Sequence, residues 1–246
     1  MIPYGRQSIG EDEISAVAEV LRGNWLTCGP KVSEFEAALA EYCGVKHAVA
    51  VANGTAALHV AMLAAEVGRG DRVLTSTNTF LSSANCAEFV GAVADFADID
   101  SRTRCISGET IMSAWQDDVK AVVPVDFAGY PSIDAHTADW IHDRGAVIIE
   151  DASHALGASV AGVKVGGLPW VDMTTFSFHP VKTIATGEGG AILTNSDHLA
   201  ERCRLARNHG MQRSTVLSEA HGPWYYEMTE LGYNYRISDI HCALGI

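Results

Sequence analysis

Residues 176–190, FSFHPVKTIATGEGG, decide how the rest of the chain is read. Phe176 and Phe178 alternate with Ser177 as along a strand, the run stops at Pro180, and Lys182 then stands alone before a glycine-rich turn. Lysines ordinarily sit on solvated faces, whereas the neighbours here are aromatic, β-branched or glycine, which predicts a buried loop near the end of a strand. An amine held there loses its charge readily and can bond to a carbonyl carbon. A surface lysine following a strand is the alternative that this stretch alone leaves open.

The chain has 246 residues, 48% of them hydrophobic, enough for one large α/β domain or one and a half smaller ones. Seventeen Lys and Arg against 30 Asp and Glu give a formal charge of −13, which argues against nucleic acid or an anionic membrane as the main partner. The six cysteines form no CxxC pair, so neither a metal site nor a disulfide framework is expected, and a reducing cytoplasmic location is. No long apolar segment opens the sequence, so no signal peptide or membrane span is expected.

Apolar periodicity predicts helices at 11–21, 32–42, 56–65, 82–90 and 132–144. Between them, 47–52, 72–76, 92–96, 121–125 and 146–149 read as strands, the last two as the continuous apolar runs of a sheet covered on both faces. Strand 47–52, the turn at Asn53 and Gly54, and the following helix read as the first half of a βαβ unit. The alternation argues a doubly wound α/β domain, with a mostly parallel sheet and helices on both faces. The polar stretch 101–118 offers no element. Ser238 reads as the N-cap of a final helix, and the sequence stops at Ile246 within its first turns, so a missing C-terminal part is expected.

In open parallel sheets ligands sit at the carboxyl ends of strands. There, Gly54, Thr55 and Ala56 open a helix whose free N–H groups suit a phosphate. Phe80 either stacks on a flat ring or packs in the core. Asp151 is a candidate functional carboxylate or the cap of the next helix, with Ser153 and His154 just after it. Ser177 either binds phosphate or faces solvent. Together, a phosphate-binding helix start, a ring stacker, a buried aspartate and a later isolated lysine are what pyridoxal 5′-phosphate needs: an amine for its aldehyde, an anion for its pyridine nitrogen and donors for its phosphate.

The stretches EDASHALGA (150–158), TFSFHPVKTIATGEGG (175–190), GPWYYEMTELGYNYRISDIHCALG (222–245) and IPYGRQSI (2–9) resemble the DegT/DnrJ/EryC1/StrS sugar-nucleotide aminotransferases. Within that group the resemblance points to the UDP-4-amino-4,6-dideoxy-N-acetyl-β-L-altrosamine transaminases of pseudaminic acid synthesis. It implies the large domain of a fold-type-I PLP-dependent transferase over residues 36–246, preceded by an arm and helix at 1–35 and lacking the small C-terminal domain. It also implies a homodimer with shared active sites, a UDP-linked 4-keto-6-deoxy-N-acetylhexosamine as substrate and L-glutamate as amino donor.

Carried over by position, Lys182 is the Schiff-base lysine and proton shuttle, Asp151 the partner of the pyridinium nitrogen, and His154 the neighbour of the ring's phenolic oxygen. Gly54, Thr55, Ala56 and Ser177 hold the phosphate, Phe80 stacks on the ring, and Asn234 reaches the neighbouring subunit's phosphate; without the resemblance, Asn234 reads as a turn residue. Two departures are Asp126, where relatives often carry histidine, and Asn53, where serine is more usual. The alternatives are a truncated, non-catalytic paralogue or fragment and a ketosugar 3-dehydratase; the latter would carry histidine in place of Lys182.

Overall fold

The computed structural model describes residues 5–213 and 215–246, so residues 2–4 of the IPYGRQSI motif lie outside the described residues. One sheet is built from β1 (His47–Val51), β2 (Arg72–Ser76), β3 (Val93–Ala97), β4 (Val119–Val123) and β5 (Val147–Asp151), completed by two later strands. After a small ribbon of β6 (Ser159–Val160) and β7 (Val163–Lys164) come β8 (Met173–Ser177) and β9 (Gly190–Thr194). The order across the sheet is β1-β9-β8-β5-β4-β2-β3. β9 runs antiparallel to both its neighbours, and every other adjacent pair is parallel.

The helices are α1 (Glu11–Arg22), α2 (Pro30–Cys43), α3 (Gly54–Ala64), α4 (Ser82–Phe89), α5 (Gly108–Ala114), α6 (Ala135–His142), α7 (Asp197–Arg207), α8 (Thr215–His221) and α9 (Asp239–Gly245). A second ribbon pairs β10 (Met211–Gln212) with β11 (Glu227–Met228). Period-two alternation sorts the strand residues between two cores. Val49 and Val51 of β1 and Ile149 of β5 pack with α3, α4 and α7 on one face. Ala48 and Ala50 meet α2 and α9 on the other face, where Ile148 joins α5 and α6. Nearly every residue of α3 is buried, which an apolar helix without a polar face requires. Asn53 caps it, its Oδ1 accepting from Ala56 N at 2.8 Å, an interaction worth about 1 kcal/mol.

Four features differ from the sequence reading. The polar stretch 101–118 contains α5, begun by a capping box in which Ser107 Oγ accepts from Thr110 N at 3.3 Å and Thr110 Oγ1 accepts from Ser107 N at 2.9 Å. Its anchor is the single buried Ile111, too little apolar periodicity to register as a helix. The unit β1–α3 does not lead to an adjacent parallel strand, because β9, β8, β5 and β4 lie between β1 and β2. The sequence GAILT forms β9, a fully buried strand where none was expected. The helix expected at 132–144 is confined to α6, which starts at the Asp134 cap, whose Oδ1 accepts from Thr137 N at 2.7 Å.

Candidate functional site

A cleft of about 930 Å³ opens at the carboxyl ends of the strands. Asn53 and Gly54 follow β1, Thr79 and Phe80 follow β2, and Asp126 follows β4; Asp151 ends β5 and Ser177 ends β8. Lys182 enters from the connection between β8 and β9. That connection is tied by Phe178 N–H to Gly189 O at 2.8 Å and by Thr186 N–H to Phe178 O at 2.9 Å. The expected loop is not wholly buried: Lys182 is half-buried, while Val181, Thr183 and Glu188 are exposed.

The cleft brings together Gly54, Thr55, Ala56, Phe80, Asp151, His154, Ser177 and Lys182. Asn234 is not among them; it is exposed and bridges to Asn208 outside this chain's cleft.

Asp151 is buried and held by three donors. Ser83 O–H reaches Oδ2 at 2.6 Å, and Ser153 supplies O–H and N–H to Oδ1 at 2.6 and 3.2 Å. Such a set compensates a buried negative charge. Ser83 is oriented in turn by Thr79 O–H at 2.7 Å. Burial lowers the Lys182 amine below the ordinary lysine range, and the nearby Asp151 opposes the shift. Partial burial and then the Lys182 charge lower the His154 imidazole, again against Asp151. The three groups are thus mutually coupled, and the site favours a neutral imidazole and a more easily neutralised amine.

At the other end of the cleft, Ala56 N–H is already directed at Asn53 Oδ1. The first-turn donors of α3 without an intrahelical acceptor are then the N–H groups of Gly54 and Thr55. Thr55 Oγ1 and Ser82 Oγ lie 2.6 Å apart. Two glycines make this close packing possible. A Cβ on Gly54 would stand 2.8 Å from Ser177 Cβ, and one on Gly190 would stand 2.5 Å from the Asn53 carbonyl carbon.

Phe80 does not pack in the core: it is 71% exposed on the rim, where Phe127 and Val181 of the cleft lining are exposed too. Ser82, Ser83, Ser153 and Gly190 were not assigned from sequence. Ser83 and Ser82 lie in an ordinary helix start, and no local pattern announces that one faces Asp151 and the other Thr55.

The sequence model of the DegT/DnrJ/EryC1/StrS aminotransferase family matches residues 7–246. The UDP-4-amino-4,6-dideoxy-N-acetyl-beta-L-altrosamine transaminase of Campylobacter jejuni is 40% identical over 255 residues, covering all of this chain and 63% of the relative. The structure of PseC from Helicobacter pylori, an aminotransferase involved in the biosynthesis of pseudoaminic acid, matches with a TM-score of 0.89 at 31% identity, over 99% of this chain and 63% of that one. A putative sugar aminotransferase of Streptococcus pneumoniae in its PMP form gives a TM-score of 0.90 at 28% identity, over 100% of this chain and 66% of that one. The chain therefore spans about 63% of the curated relative's length, and its mostly parallel sheet is that of the PLP-dependent aminotransferases.

Proposed function

The chain belongs to the DegT/DnrJ/EryC1/StrS aminotransferase family, and on that premise we propose that it uses pyridoxal 5′-phosphate to move an amino group from L-glutamate to the C4 ketone of a UDP-linked 4-keto-6-deoxy-N-acetylhexosamine. The route would be nucleotide-sugar synthesis of the pseudaminic acid type, in the cytoplasm. The observation that carries the reading is the pairing, in one cleft, of a lysine amine lowered by burial with an aspartate buried under three donors.

The residues present fit the cofactor. The free N–H groups at the start of α3, with Thr55 and Ser177, line one end of the cleft, where Gly54 lets Ser177 approach so closely that a Cβ there would stand 2.8 Å from Ser177 Cβ. When bound, pyridoxal phosphate supplies an electron sink for the charge left when a C–H proton departs. Asp151 would keep the pyridine nitrogen protonated, and Ser83 and Ser153 would keep Asp151 in place. Lys182 would hold the cofactor and carry the proton out and back in both half-reactions. Its lowered affinity for protons suits that task, because a general base works best when its neutral form is populated near the operating pH. His154 would sit beside the ring oxygen as a neutral imidazole, and Phe80 would cover the ring face.

A homodimer belongs to the same proposal. Phe80, Phe127 and Val181 leave exposed apolar side chains along the cleft of the kind that a second copy covers. Asn234, outside this chain's cleft, would then reach the phosphate held by the other copy. No helix of the described residues is long and apolar enough to cross a membrane.

The test is the absorbance of the full-length protein titrated with pyridoxal phosphate. A visible band that forms in the parent, bleaches with L-glutamate and never forms in Lys182→Ala is expected. A band that persists unchanged in Lys182→Ala would overturn the assignment.

A further inference from the structure

Consecutive acids of β5 point to opposite faces of the sheet. Asp151 turns to α4 and the cleft, whereas Glu150 is completely buried on the other side, where its Oε2 accepts from Thr174 O–H of β8 at 2.9 Å. Asp126, 1% exposed, meets Glu150 there. Asp126 Oδ1 is occupied, accepting both N–H and O–H of Ser132 at 3.0 Å. Its Oδ2 and Glu150 Oε1 are buried with no partner among the described residues.

Two neighbouring carboxyl groups in so dry a place do not both carry charge readily, and an orphaned acceptor oxygen on each is satisfied by a hydrogen held between them. The titratable groups that act on the pair include the acid Asp151 and the Cys105 thiol, neither of which supplies a positive charge, while His154 faces the loop through Ala128. We propose that Asp126 and Glu150 hold a single proton between them, and that this buried acid pair fastens the 126–132 loop to the sheet and thereby positions His154 at the cleft mouth.

The latch has a defined reach. Glu150 is tied to β8 through Thr174, and Asp126 closes the loop through Ser132. Asp126 N–H also donates to the Asp151 carbonyl at 3.0 Å. Between the two anchors, Ala128 N–H is directed at His154 Nδ1 at 3.4 Å, and the Phe127 ring lies 6.2 Å from the His154 ring. Asp126 and Glu150 act through these neighbours, as positioning residues. Burial, then the charge of the other acid, raises Asp126 well above the usual carboxylate range, and burial raises Glu150; both directions agree with the geometry.

The shared proton does not depend on the cofactor assignment and is read on the ligand-free, full-length protein. The infrared spectrum at pH 7 should contain the carbonyl band of a buried protonated carboxyl, lost in both Asp126→Asn and Glu150→Gln. Its absence from the parent, or its survival in both variants, would overturn the proposal.

Urea unfolding against pH gives the sign. The folded pair keeps a proton that the unfolded chain, with carboxyls titrating near about 4, has released. The parent's folding constant should therefore fall relative to that of Asp126→Asn by up to about tenfold per pH unit from about pH 5 toward neutrality. Parallel profiles would sink the idea. For the positioning role, the His154 ring titration followed by NMR should shift in Asp126→Ala and return in Asp126→Asn, whose carboxamide still donates to Glu150 and accepts from Ser132. An unmoved titration in Asp126→Ala would remove it.

Discussion

Glu150 and Asp151 share a strand, a charge type and nearly complete burial, yet the two faces of β5 treat them differently. On the cleft face Asp151 receives three hydrogen bonds, from Ser83 and Ser153. On the far face Glu150 receives one, from Thr174, and finds another acid where Asp151 finds donors. What separates the two acids is therefore the number of donors aimed at each. Burial alone does not distinguish them.

Breaking the cleft side should cost activity and leave the fold intact. Asp151→Asn keeps one acceptor oxygen, enough for the two Ser153 donors, and its amide N–H can donate to Ser83 Oγ, but it cannot hold a positive pyridine nitrogen. By analogy with the removal of one electrostatic partner from a reacting centre, kcat/KM should fall on the order of 10²–10³-fold with little change in melting temperature. Steady-state rates beside a melting curve check this, and a rate within a few-fold of the parent would remove Asp151 from the proposed role. Breaking the far side should do the reverse. Glu150→Ala strips Thr174 O–H and Asp126 of a partner, at a cost of about 1–3 kcal/mol. At about 2–4 °C per kcal/mol for a domain of this size, that is a drop of several degrees in melting temperature. The visible cofactor band should still form at saturating pyridoxal phosphate. A variant that melts like the parent would mean that the pair contributes nothing to holding the loop.

The cleft side of this contrast was legible in the sequence, the Glu150 side was not, and the illegible part has a physical cause. Alternation along β5 follows from the strand period, so the isolated Lys182 and the strand-end Asp151 stood out, and the cleft collects eight of the nine expected cofactor residues. The sequence did not reveal who answers Asp151 from across the fold. Ser83 lies on α4, which follows β2, and β2 joins β5 only through β4. Sheet order was hidden for the same reason: β9 inserts between β1 and β8 through long-range pairing that no local pattern encodes. α5 escaped because one buried isoleucine and a capping box sufficed to make it.

Phe80 offers the smallest and most discriminating test, because its two readings predict opposite outcomes. A core phenylalanine replaced by alanine costs about 3–5 kcal/mol. At 71% exposure Phe80 has little packing to lose, so Phe80→Ala should melt within about a degree or two of the parent, as surface substitutions do. If its ring covers the cofactor, the loss should appear in binding. An aromatic stacking contact is worth about 0.5–1.5 kcal/mol, or roughly a 2- to 12-fold weaker Kd for pyridoxal phosphate. A titration of the visible band reads that shift directly. If the Kd stays put while the protein's tendency to self-associate falls, Phe80 belongs to the apolar rim that a second copy covers, and the ring-stacking role passes to another residue of the cleft.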